Sequence, residues 1–136
     1  MPETEALLGN AGGTIDASPL AQRYGVSIKP GTNIRNLDPA IVPAISAVAG
    51  ASYSLRLTAP TITSGRDRQH HVGSLHPKGD ALDFRGNNIS VPQGQTLAKN
   101  VRAQLGSKYD VLFETSRDDP ANNHLHVEYD PKHGRR

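Results

Sequence analysis

His124-Leu125-His126-Val127-Glu128-Tyr129 is the stretch whose reading decides the fold. Polar and apolar side chains alternate through it, and a period of two belongs to a strand with one buried face, here the final strand expected over Asn123 to Tyr129. His124, His126 and Glu128 share one face; Leu125, Val127 and Tyr129 share the other. The apolar side is expected to dock on helices and leave both imidazoles facing an open cleft. Upstream, Ala81-Leu82-Asp83-Phe84-Arg85 obeys the same rule, with Leu82 and Phe84 on one face and Ala81, Asp83 and Arg85 on the other. Each strand thus buries one face and presents a potential ligand on the other.

Outward from these strands, the spacing of Leu97, Val101 and Leu105 predicts an amphipathic helix over 95–105, closed by Gly106. Tyr109 to Glu114 reads as a further strand. Ile41, Val42, Ile45 and Val48 predict a helix from Asp38-Pro39 to about Gly50, with Pro43 early in it or marking its true first turn. Ser18-Pro19 opens a short helix running to Tyr24 and ended by Gly25. Leu55 to Thr63 reads as a strand in which Pro60 marks an edge or a bulge, and residues 64–80 as a polar loop. The class expected is α+β: a small antiparallel β-sheet with helices packed on one side. Residues 1–17 read as a mobile N-terminal arm, 18–131 as a single domain and 132–136 as a basic tail.

The composition agrees with one small folded domain. Its 136 residues suffice for one modest core. Leu, Ile, Val and Phe make up only about a fifth of the chain, close to the level where disorder sets in. A net charge of +2 gives little self-repulsion, and thirteen glycines with ten prolines suit long loops. Without cysteine there is no disulfide framework and no thiolate metal site. No apolar run is long enough for a membrane span. Met1-Pro2-Glu3-Thr4-Glu5 is acidic and leads into no apolar stretch, so no signal peptide is expected. The charge is too small, and the aromatic residues too few, to argue for nucleic acid.

The chemistry gathers around Ser74-Leu75-His76-Pro77-Lys78-Gly79-Asp80-Ala81-Leu82-Asp83 and the downstream His-x-His. Two imidazoles, a carboxylate and an open position are the donor set of a catalytic zinc, whereas a closed structural site uses four protein ligands, usually with cysteine. Gly79 would allow a positive φ and let His76 fold back toward Asp83. Zinc activates a water molecule for attack on a carbonyl, and a nearby group must accept its proton. His124 is placed for that task or for supporting the oxyanion. Arg66 could hold a substrate carboxylate or support the oxyanion, with Arg68 competing for the role. Ser74 touches substrate or braces its loop. His70-His71 and His133 read as solvated, and Glu128 as a partner behind the metal or a surface charge.

Together with Ile62-Thr63-Ser64-Gly65-Arg66, these strings resemble the zinc peptidases of the D-Ala-D-Ala carboxypeptidase and phage endolysin family. Its wider group takes in lysostaphin-type and hedgehog-like domains. The resemblance covers residues 24–131, and His124 to Pro131 is most similar to phage-encoded members. It implies a hedgehog-like or DD-peptidase-like fold and one Zn²⁺ held by His76, Asp83 and His126. It also implies cleavage of an amide bond in the stem peptides of bacterial peptidoglycan, by a phage lysin acting from the host cytoplasm at lysis or by a virion-associated enzyme. Many relatives carry a carboxylate base three residues before the last ligand histidine, where this chain has Asn123. The role then passes to His124, following the lysostaphin-like pattern, or to Glu114. The competing reading is a virion structural or wall-binding module that keeps zinc without turnover. A nuclease lacks a basic cluster beside the motif. Which bond is cut and the oligomeric state are not written in the sequence.

Overall fold

The computed structural model describes residues 13–66 and 78–131. In chain order the elements are α1 (Ser18–Arg23), β1 (Ser27–Ile28), a 3₁₀ turn (Pro39–Ile41), α2 (Pro43–Ser54), β2 (Thr61–Ser64), β3 (Ala81–Arg85), α3 (Val91–Leu105), β4 (Tyr109–Glu114), a second 3₁₀ turn (Pro120–Asn122) and β5 (His124–Tyr129). Five strands form one sheet in the order β1-β2-β3-β5-β4. The expected α+β class holds, but the sheet is mixed: β1 runs parallel to β2, and all other neighbours are antiparallel. The chain between β1 and β2 passes through α2, as a parallel pair requires a crossover.

The core lies between the sheet and the helices. Leu82, Phe84, Val111, Leu125 and Val127 meet Ile41, Val42, Ile45 and Val48 together with Leu97 and Val101, all within one buried cluster. Each such side chain contributes about 1.5–3 kcal/mol when fully withdrawn from water. Helix α3 begins four residues before the expected Gln95. Ser90 Oγ accepts from the Gln93 amide, and Gln93 Oε1 accepts from the Ser90 amide, forming a capping box with Pro92 in the first turn. Gly94 faces the Phe113 ring so closely that a Cβ would lie 2.4 Å from it, so α3 can settle onto the end of β4.

Two expectations along the chain are corrected. Helix α2 starts at Pro43 rather than at Asp38-Pro39, where a 3₁₀ turn lies instead; it runs past Gly50 to Ser54, and β2 begins only at Thr61. The helix closes on Arg56, which adopts φ 59°; Arg56 N–H donates to Tyr53 O and Leu57 N–H to Ser52 O. That is the two-bond αL closure normally built on glycine, so Gly50 misled the reading. The inner end of the presumed arm is also structured: Ile15 exchanges two backbone bonds with Leu37, and Ala17 is fully buried. Residues 1–12 and 132–136 lie outside the described residues.

The entry to β3 is pinned to the 3₁₀ turn at 39–41. Gly79 does adopt a positive φ, 77°, and its carbonyl accepts from Asp38 N–H. The Asp80 carboxyl is hydrogen-bonded to that of Asp38, and its pKa rises from 3.8 to about 7. Burial is the main cause, followed by that bond and the Asp38 charge, with Lys78 and Arg66 opposing. A folded-state value above the unfolded one means that the folded chain holds this proton more tightly. The stabilisation is complete below about pH 4 and is lost as pH rises through about 7. Asp80→Asn should therefore raise the melting temperature most at about pH 8, with the gain shrinking toward pH 4. Calorimetry across that range tests the sign, and a gain independent of pH would rule out the shared proton as its source.

Candidate metal centre

Strand register builds the site. Across β3, β5 and β4, three rows of partners share the face opposite the core: Ala81–Glu128–Asp110, Asp83–His126–Leu112 and Arg85–His124–Glu114. Asp83 therefore stands directly opposite His126, and His124 lies between Arg85 and Glu114. On the outer side of β3, Ser64 pairs with Asp83 after an irregularity in β2 between Ile62 and Ser64. Such a bulge re-aims side chains beside a site.

The middle row is closed by short contacts. His126 Nδ1 lies 2.7 Å from Asp83 Oδ1, and His126 Nε2 lies 2.7 Å from Glu128 Oε1. His126 is only 9% exposed, so it does not face an open cleft as the alternation implied, and Glu128, at 5%, is no surface charge. Burial lowers the His126 pKa, but the bonds to Asp83 and Glu128 outweigh it and bring the value to about 9. In the row beyond, His124 Nδ1 donates to Asn122 O at 2.7 Å, since a carbonyl can only accept. His124 Nε2 then faces Glu114 Oε1 at 2.7 Å and Asp83 Oδ1 at 3.8 Å. The bond to Glu114 is the main reason that the His124 pKa is raised and the Glu114 pKa lowered.

Asp83, His124 and His126 each offer a ligand atom within 4.8 Å of the others, so the group could hold a metal ion. The donor chemistry fits a divalent transition metal. A metal-binding imidazole commonly gives its second N–H to a carboxylate, which fixes the ring and strengthens its donor nitrogen. Glu128 does this at His126 Nε2, leaving Nδ1 toward Asp83.

The expected residues divide as follows. Asp83, His126, His124 and Glu114 come together. His76 and Ser74 lie outside the described residues, as do His70, His71 and Arg68. Arg66 follows β2, and its Nη1 donates to Asn36 O at 3.1 Å. It is not among the residues lining the cleft beside His124, which has a volume of about 420 Å³ and is floored by Thr63, Asp83 and Arg85, with Lys29 and Asn122 on its walls. Asn123 is structural: its Oδ1 accepts from Ser116 N–H at 2.9 Å, and its carbonyl accepts from Gly86 N–H. Lys29 and Arg85 were not singled out from the sequence. Strand parity already placed Arg85 beside Asp83, but Lys29 arrives only through the parallel pairing of β1.

No protein-family model matches the chain, and no curated protein matches it in sequence.

If the group holds zinc, Glu128→Gln should weaken its binding by about tenfold to a hundredfold, read by competition with a chromophoric chelator. In the wild type, apparent zinc affinity should climb between about pH 6.5 and about 9, because the His126 proton must leave before the metal binds. Affinity that is flat over this range would remove His126 from the ligand set.

Proposed function

We propose that the protein is a zinc-dependent peptidase that hydrolyses amide bonds in the stem peptides of bacterial peptidoglycan, as a phage lysin or a virion-associated enzyme. The observation that carries this reading is the pairing of Asp83 with His126, with the His124–Glu114 dyad in the adjoining row. The sequence string from Ser74 to Asp83 and its resemblance to zinc peptidases of the cell wall supply the substrate class.

Asp83 and His126 would hold the ion, joined by His76 as the resemblance implies or by His124 as the geometry allows. When bound, zinc supplies a Lewis acid and an activated water. Glu128 holds the His126 ring in place through Nε2. The Asn122 carbonyl fixes a proton on His124 Nδ1, which leaves Nε2 as the nitrogen able to take a proton. Glu114 Oε1, 2.7 Å from that nitrogen, stabilises the resulting imidazolium or accepts the proton itself. This dyad takes the place of the carboxylate missing at Asn123.

One observation favours the second reading, a wall-binding or virion module that keeps zinc without turnover. Asn123 is tied into the β4–β5 connection and cannot act as a base. Mass spectrometry of a defined muropeptide separates the two. Hydrolysis products that vanish with a chelator and return with zinc are expected, whereas wall binding without any product would leave only the second reading standing. Glu114→Gln should keep its zinc and lose about 10²- to 10⁴-fold in kcat, the usual contribution of a positioned acid–base group. His124→Ala should retain zinc if His76 completes the ligand set, and metal analysis of that variant reads the answer directly.

A further inference from the structure

We infer that Lys29 and Arg85 form a carboxylate-binding subsite in the cleft beside His124, and that it selects peptides with a free carboxylate near the scissile amide. The inference rests on the peptidase reading above and adds the chemical feature that the site recognises. The cleft's volume of about 420 Å³ lies within the range of sites that enclose a small ligand. Its charged lining consists of Lys29, Arg85 and Asp83, together with His124. Asp83 is engaged by His126 at 2.7 Å. Both cations are exposed, and neither makes an ion pair among the described residues. The neutral groups around them, such as Thr63 and Asn87, add no negative charge.

The fold places the two cations deliberately. Arg85 lies on the same face of β3 as Asp83, two residues or about 7 Å farther along, and opposite His124. Lys29 follows β1, and its N–H donates to Ile62 O at 2.9 Å, which fixes it at the rim of the sheet. An extended substrate with its reacting amide at the Asp83–His126 row would thus carry a group one or two residues away into reach of the guanidinium, given about 3.8 Å between successive Cα atoms. A guanidinium matches a carboxylate with two parallel N–H donors, and an ammonium adds a point charge. Stem peptides offer two sources of that chemistry: the C-terminal carboxylate and the free carboxylate of the internal D-Glu.

The test uses zinc-loaded protein and three synthetic stem peptides: one ending in a free D-Ala carboxylate, its C-terminal carboxamide, and a form with the D-Glu carboxylate amidated. Hydrolysis and calorimetric binding are measured for each. One of the two amidations should raise KM and weaken binding by about tenfold to a hundredfold, the size of a lost charge-assisted contact. Arg85→Gln should reproduce that loss on the free peptide and add little on the sensitive amide. Arg85→Lys should recover part of it, and Lys29→Gln should give a smaller effect in the same direction. Indifference of KM and binding to both amidations would overturn the subsite, as would an Arg85→Gln loss that is equal on all three peptides. Carboxylate-dependent and Arg85-dependent binding without hydrolysis would keep the subsite and remove the peptidase reading. Hydrolysis that ignores Arg85 would do the reverse.

Discussion

The pairing register of β3 with β5 is the constraint on which the rest of the structure depends. On the core face it sets Leu82 against Val127 and Phe84 against Leu125, all four essentially withdrawn from solvent. On the opposite face the same register sets Asp83 against His126 and Arg85 against His124. A slip by one residue would turn the imidazoles into the core. A slip by two would preserve the faces but bring Phe84 opposite Asn123 and leave Val127 without its partner. Apolar packing on one side of the sheet therefore fixes the polar geometry on the other to within a strand position, although no polar contact is needed to choose it.

The second consequence is electrostatic. Because β5 is an interior strand, His126 and Glu128 are buried although they sit on the polar face. Buried charge must be paired, and His126 has a carboxylate oxygen 2.7 Å from each ring nitrogen. Two acids around one imidazole call for a positive charge at their centre. In the metal-free protein a proton fills that need, which is why the histidine holds it up to about pH 9. A divalent ion held by Asp83 and His126 would meet the same need with more charge. Such an ion would compete with the proton for His126, and Glu128 would favour either occupant by holding the far side of the ring.

Much of this was legible in the sequence, and the misses have identifiable causes. The alternation of His124–Tyr129 and Ala81–Arg85 gave both strands and the correct faces, and β4 was read with its true ends. Parity cannot give register, so the choice of Asp83 opposite His126 came only with the packed core. The expected strand over 55–63 holds only for its last three residues, because Arg56 performs a glycine's task at the end of α2. Helix α3 starts earlier than its apolar spacing indicates, because Ser90 and Gln93 form a capping box ahead of the first periodic leucine. Strand β1 is two residues long and carries no periodicity to read. The burial of Glu128 escaped notice because alternation distinguishes faces and says nothing of what covers them.

Asn123 links these observations. Read alone, an amide three residues before His126 offers no proton acceptor. In the fold, its side chain accepts from Ser116 N–H and its carbonyl from Gly86 N–H, so it joins the β4–β5 connection to the end of β3. The neighbouring Asn122 carbonyl is thereby held where it accepts from His124 Nδ1. That bond decides which nitrogen carries the proton and turns Nε2 toward Glu114 and Asp83. Nε2 has a single lone pair, so ligating a metal and accepting a proton are mutually exclusive uses of it. In the structure Nε2 is engaged with Glu114. Asn123 thus orders the connection that sets the His124 ring against Glu114.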